Sequence, residues 1–183
     1  MPDSPKVLSS RHVYAGRLFD LKVDEVEFPD GVIAQRETIR HPGAVAMIAT
    51  DAEGRVLLVS QYRHPAGTRM LEVPAGTLEP GEDPVKAAER ELQEEVGYRP
   101  RKLEDIGGFY VAPGYCDEFI RLFVCTDLEQ TATDPDEDED IEITALRPED
   151  ALARVENGDI TDAKSIIGLT RWARRTGAWP QPE

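Results

Sequence analysis

Three glutamates, Glu91, Glu94 and Glu95, stand at spacings i, i+3 and i+4. On an α-helix those positions fall within roughly 100° of arc, so the three carboxylates share one face. Carboxylates this close repel one another unless cations lie between them. Hard oxygen donors suit Mg²⁺ or Mn²⁺, ions that keep several waters and bridge to substrate phosphates. Arg90, one residue before the first glutamate, carries a guanidinium fork able to orient a carboxylate. Taken alone, the same residues also fit an ordinary solvated acidic helix.

The carboxylates need a helix and a surface to hold it. A helix is expected over about Asp83–Val96, with Asp83 as N-cap, Pro84 at the first helical position and Gly97 as the stop. Val85, Ala88, Leu92 and Val96 form an adjoining apolar stripe that anchors it on a sheet. Upstream, Leu18–Phe28 alternates, Pro29-Asp30-Gly31 is turn chemistry and Val32–Arg40 resumes the extended pattern, which predicts a hairpin. Two apolar runs, Ala44–Thr50 and Arg55–Arg63, read as central core strands, followed by a short strand Met70–Pro74 and a Gly/Pro-rich loop Ala75–Gly81. Strands are expected at Lys102–Tyr110, Glu118–Thr126 and Ile141–Leu146, and helices at Pro148–Asn157 and Asp162–Arg175. The one charge run is Asp134–Asp140, and no internal repeat is visible. Strands with interspersed helices imply an α+β or layered α/β/α domain.

From Gly76 to Tyr98 the sequence is GTLEPGEDPVKAAERELQEEVGY. Gly76, Glu82, Arg90, Glu91, Leu92, Glu94, Glu95, Gly97 and Tyr98 fall position by position on the signature of the Nudix hydrolases, with Tyr98 in the last apolar slot as the mildest departure. Seven fixed identities arise by chance on the order of once in 10⁸ windows at background usage, which sets the solvated-helix reading aside. The resemblance implies a Nudix-type α/β/α sandwich with a mixed sheet, in the α+β class, whose loop–helix–loop holds metal. It also implies metal-assisted hydrolysis of a diphosphate linked to another moiety. That reaction needs positioned water, charge neutralisation at the phosphate oxygens and a base. By position, Glu91 and Glu95 are implied as metal ligands with Glu94 close behind, Ala75 adds its backbone carbonyl, and Glu82 and Arg90 support them; Arg90 and Glu94 are also placed among the catalytic residues.

The signature fixes the reaction but leaves the substrate to residues outside it. Pro113, sixteen residues past Gly97 and followed by Gly114, Tyr115, Asp117 and Glu118, resembles the ADP-ribose pyrophosphatase branch. In that pattern Arg63 of QYRHP reaches the substrate phosphates. The run DEDEDIEI resembles the acidic loop from which the branch supplies a catalytic glutamate; register on Ile141 places it at Glu139, with Glu137 its neighbour. An N-terminal β region (residues 1–42) precedes the Nudix domain (residues 43–183) in the branch, where a domain-swapped homodimer uses it to build the adenosine pocket. Arg36, Glu37 and Arg40 fall where substrate-facing residues come. Phe19, Phe28 and Tyr110 are the aromatic candidates for the adenine. The expected reaction is ADP-ribose, or a related ADP-sugar, to AMP and ribose 5-phosphate.

The chain's 183 residues carry 36 acidic against 21 basic side chains, a net charge of −15. Such a surface repels phosphate backbones, which argues against nucleic-acid or anionic-membrane partners, and an anionic substrate then calls for a local divalent cation. MPDSPKVLSS has no apolar stretch and no apolar run approaches about 18 residues, so neither signal peptide nor membrane span is expected. Cys116 and Cys125 are too few for a disulfide framework or closed zinc site and read as reduced thiols of a cytoplasmic protein. His12, His41 and His64 each stand alone and read as structural or solvent-facing. Two other functions stay open: a Nudix pyrophosphatase for GDP-mannose, another nucleotide sugar or a dinucleoside polyphosphate, and a non-catalytic nucleotide-binding module.

Overall fold

The computed structural model describes residues 4–132 and 140–179. The described residues divide into two units, one of residues 4–43 with Phe109–Phe119, the other of Ala44–Gly108 with the described residues from Ile120 on. The first unit carries an antiparallel sheet of β1 (Lys6–Ala15), β2 (Asp20–Glu27) and β3 (Ile33–Arg40), in that order. The expected hairpin is therefore β2–β3, turned at Gly31 with φ 83°, and β1 extends it to three strands. Every residue of β1 is exposed, so it has no buried face to mark it by alternation.

The second unit is built around β4 (Ala44–Ala49), all six of whose residues are buried. A strand covered on both faces reads as a continuous apolar run, as AVAMIA does. It lies in a mixed sheet, parallel to β9 (Phe119–Gln130) and antiparallel to the short β7 (Ala75–Thr77), with β8 (Tyr98–Tyr110) beyond β9. A smaller antiparallel sheet pairs β5 (Val56–Arg63) with β6 (Thr68–Glu72) on one side and β10 (Ile141–Leu146) on the other.

Side chains from alternate positions of β4 go to opposite layers. Val45, Met47 and Ala49 join Leu57, Val59, Phe123 and Cys125 in a core with Ala87, Ala88, Leu92 and Val96 of α1 (Pro84–Val96). On the other face Ile48 and Leu122 lie against Gly168 of α3 (Ala163–Thr176), where an added Cβ would come within 3.0 Å of Ile48 Cδ1. The third helix, α2 (Pro148–Glu156), packs on α3. This is the α/β/α layering expected.

Several sequence expectations change: the strand expected at Met70–Pro74 runs over Thr68–Glu72, and that expected at Glu118–Thr126 continues to Gln130. The anchoring stripe of α1 is Ala87, Ala88, Leu92 and Val96; Val85 is exposed, because the helix turns its small alanines, not its first valine, onto the sheet. Part of the Ala75–Gly81 loop is strand β7, fixed by pairing with Ala44–Ala46. The strand expected from Lys102 begins at Tyr98, directly after the helix stop.

Candidate active site

Local chemistry starts and stops α1 where the carboxylates need it. Asp83 Oδ1 accepts from Val85 N at 2.9 Å and Lys86 N at 3.3 Å, Pro84 opens the helix, and Gly97 closes it in the left-handed region at φ 71°. The loop before it is folded back by Glu82, whose Oε2 accepts from Glu79 N at 3.0 Å.

Arg90 is the hub of the carboxylate face. Nε and Nη2 grip Glu82 in a fork, both at 3.0 Å, while Nη1 donates to Glu91 Oε1 at 2.8 Å and Glu94 Oε2 at 2.9 Å. Its hydrogen bonds to Glu82, then the charge of Glu91 and the bonds to Glu94 and Glu91, drive its pKa still higher. In return the Arg90 hydrogen bonds hold the Glu82 carboxyl below the usual glutamate range. Glu95 turns inward, 4% exposed, and its Oε2 accepts from the Ala75 backbone N–H at 2.9 Å. Gly76 makes the close approach possible. A Cβ there would lie 1.8 Å from Glu91 Cδ and about as close to both carboxylate oxygens. The structure thus brings Ala75, Arg90, Glu91, Glu94 and Glu95 together.

Among the described residues no three His, Cys, Asp or Glu side chains close around an ion-sized point; Arg90 Nη1 bridges Glu91 and Glu94 instead. The donor set still fits a hard divalent cation. Glu82, Glu91 and Glu94 share the Arg90 guanidinium, which leaves the face negative, and with Glu95 it offers only oxygen donors.

Arg63, at the end of β5, pairs bidentately with buried Glu72 through Nε at 3.1 Å and Nη2 at 2.8 Å, and Glu95 is among its electrostatic neighbours. In the first unit, Arg36, Glu37 and Pro113 line a cavity of about 360 Å³ together with Tyr110, Tyr115 and Asp117. Arg40 is ion-paired with Asp117 at 2.6 Å, and the other Asp117 oxygen accepts from His41 N at 2.9 Å. Arg36 lies over the Phe28 ring, 5.0 Å from its centroid, and Tyr110 packs edge-on against Phe119. His41 Nδ1 accepts from Gly43 N, in keeping with a structural role. Glu137 and Glu139 lie outside the described residues.

Residues 40–166 match the NUDIX domain, and residues 5–39 match the nucleoside diphosphate sugar hydrolase N-terminal domain. The chain belongs to the Nudix family. Among similar proteins are the ADP-ribose pyrophosphatase of Bacillus subtilis (strain 168), 41% identical over 90% of each chain, and that of Mycobacterium tuberculosis H37Rv, 35% identical over 97% of this chain and 87% of that one. The GDP-mannose pyrophosphatase of Yersinia pestis (strain Pestoides F) is 36% identical over 82% of this Nudix chain and 79% of its own. A crystal structure of an ADP compounds hydrolase superposes with a TM-score of 0.83 at 25% identity, covering 94% of this chain and 96% of the other.

Two charged partners escaped the sequence reading. In the sequence Asp117 stands out only as part of the Pro113 context, and Glu72 only as one residue of the short strand Met70–Pro74. A lone carboxylate inside MLEVP was the available signal, since an acid in a core strand needs a cation beside it.

Proposed function

We propose that this Nudix pyrophosphohydrolase cleaves the diphosphate of ADP-ribose, or a related ADP-sugar, to AMP and ribose 5-phosphate. The observation that carries the reading is the intact carboxylate face of α1, in a chain that matches relatives named ADP-ribose pyrophosphatase over nine-tenths of its length. In this reading Glu91, Glu94, Glu95 and the Ala75 carbonyl hold Mg²⁺ or Mn²⁺. When bound, such a cation supplies charge neutralisation on the diphosphate oxygens and acidifies a water.

The remaining work falls to the chain's own groups. Arg90 and Glu82 fix the directions of Glu91 and Glu94, so those carboxylates need little reorganisation. Arg63 binds the substrate phosphates. Glu139, or Glu137 if the register shifts by two, takes the proton of the attacking water as general base. Arg36, Glu37, Arg40 and Pro113 bind the nucleoside end. Residues 1–42 act as a dimerisation region and residues 43–183 as the hydrolase domain, the two copies forming a domain-swapped homodimer in the cytoplasm. Exposed Val7, Val13 and Tyr14 on β1, and Leu18 beyond it, support an apolar surface for that pairing. Among the described residues no helix is long and apolar enough to cross a membrane.

A second reading, GDP-mannose or another nucleotide sugar as substrate, is favoured by the GDP-mannose pyrophosphatases at 36% identity. A panel of ADP-ribose, GDP-mannose, NADH and diadenosine polyphosphates with Mg²⁺, followed by nucleotide release, separates the two. The highest kcat/KM is expected on ADP-ribose, with AMP as product; a preference for GDP-mannose would establish the second substrate instead.

A further inference from the structure

A second group of charges is centred on buried Glu72, with Glu95 of α1 among the electrostatic neighbours of its Arg63. Glu72 is 1% exposed and accepts from Arg63 twice and from Lys164 Nζ. Lys164 Nζ also donates to Asp162 Oδ2 at 3.0 Å, and that oxygen accepts from Ser165 N in the first turn of α3. Two cations and two anions therefore balance. Desolvation pushes the Glu72 carboxyl up, but the hydrogen bonds and charges of Arg63 and Lys164 together outweigh it and hold it below its usual range.

The grip is doubled by the backbone. Lys164 and Ser165, consecutive on α3, hold consecutive residues of the other segment: Lys164 takes the Glu72 side chain, and Ser165 Oγ accepts from Val73 N at 2.8 Å. The next residues continue it, with Pro74 O accepting from Met47 N and Ala75 N donating to Glu95. Arg63 is the most open member, its side chain 37% exposed against 13% for Lys164 and 2% for Glu72. Its bonds to Glu72 use Nε and Nη2, and a guanidinium has a further N–H edge at Nη1.

We propose that Glu72 and Lys164 are positioning residues that lock the Arg63 guanidinium so that its Nη1 edge meets the substrate diphosphate. Glu72 orients the fork, and Lys164 neutralises Glu72 so that Arg63 keeps its positive field for the phosphates. Without Lys164 the whole Glu72 charge falls on Arg63, which then keeps less of its positive field for the substrate phosphates. The inference rests on the reading of Arg63 as the phosphate-binding residue.

The test is a double-mutant cycle on the full-length chain with ADP-ribose and Mg²⁺. Lys164→Met is expected to lower kcat/KM about 10- to 100-fold, the usual scale for a substrate-holding group out of place, with most of the loss in KM. Lys164→Arg restores it. In an Arg63→Lys background, Lys164→Met adds less than about twofold, since both act through one guanidinium. A merely structural lysine would lower thermal stability, leave KM unchanged and multiply independently with Arg63→Lys. If Lys164→Met does not fold, Lys164→Gln, which removes the charge but keeps a hydrogen-bond donor toward Glu72, takes its place in the cycle, with the same KM rise expected. Wild-type KM in the folded variant, or full multiplication with Arg63→Lys, overturns the positioning role. If Arg63→Lys alone is as active as wild type, the phosphate-binding reading of Arg63 falls and this inference with it.

Discussion

Replacing Gly76 with alanine isolates the placement of one carboxylate. A Cβ at residue 76 would stand 1.8 Å from Glu91 Cδ and 2.0 and 2.2 Å from its two oxygens. The Glu91 carboxylate must withdraw to ordinary contact at about 3.4 Å or beyond, a movement of more than an ångström away from Ala75 and β7. The obstacle is the end of a flexible side chain, and Gly76 lies in extended strand with no left-handed φ, so the backbone has no reason to change. Stability is expected to shift by less than about 1 kcal/mol. Activity is another matter, because displacing a reacting group by about 1 Å costs on the order of 10²-fold. Gly76→Ala should therefore lose about 10²-fold or more in kcat on ADP-ribose, and need more Mn²⁺ for half-maximal rate, at nearly unchanged melting temperature. The assay is AMP release at saturating substrate across a Mn²⁺ titration, alongside a thermal melt. Wild-type kcat and metal response in Gly76→Ala would refute the placement of Glu91 at the metal.

Acid should weaken the fold through the Arg90 hub. The Glu82 pKa is lowered in the folded chain, so its contribution is present above the ordinary glutamate value near 4.5 and is lost as pH falls through the depressed one. Melting temperature should drop less steeply below that value in Glu82→Gln, and superimposable pH curves would count against the hub. Glu139→Gln is expected to lower kcat by roughly 10²–10⁴, the usual worth of a general base. If Glu137→Gln is crippled in its place the register is off by two, and if both variants are near wild type the loop base is wrong. Light scattering at micromolar concentration should return two chain masses, and one chain mass would remove the homodimer.

What could be read from the sequence follows from how local each cause is. The α1 helix was legible to the residue because Asp83, Pro84 and Gly97 set its ends within its own turns. The carboxylate face followed from helical geometry alone. β4 was legible as an unbroken apolar run, and β5 by its apolar first half, Val56–Val59. By contrast β1 has no buried residue, and its strand state comes from pairing with β2. Strand β7 likewise exists because Ala44–Ala46 lie beside it. The turn of α1 that buries Ala87 and exposes Val85 depends on the sheet beneath it. Glu72 shows the same limit at the site, since its cations, Arg63 and Lys164, stand 9 and 92 residues away in sequence. Glu139 rests on its register to Ile141 and lies outside the described residues.

The central claim is that the α1 carboxylates and a divalent cation together hydrolyse ADP-ribose. Its most direct measurement is AMP and ribose 5-phosphate release from ADP-ribose by a chelator-treated preparation, before and after adding Mg²⁺ or Mn²⁺, with Glu95→Gln in parallel. No turnover is expected without metal, full recovery with it, and at least roughly a 10²-fold lower kcat for a folded Glu95→Gln protein. Full activity in the metal-free preparation, or wild-type kcat in Glu95→Gln, would contradict it.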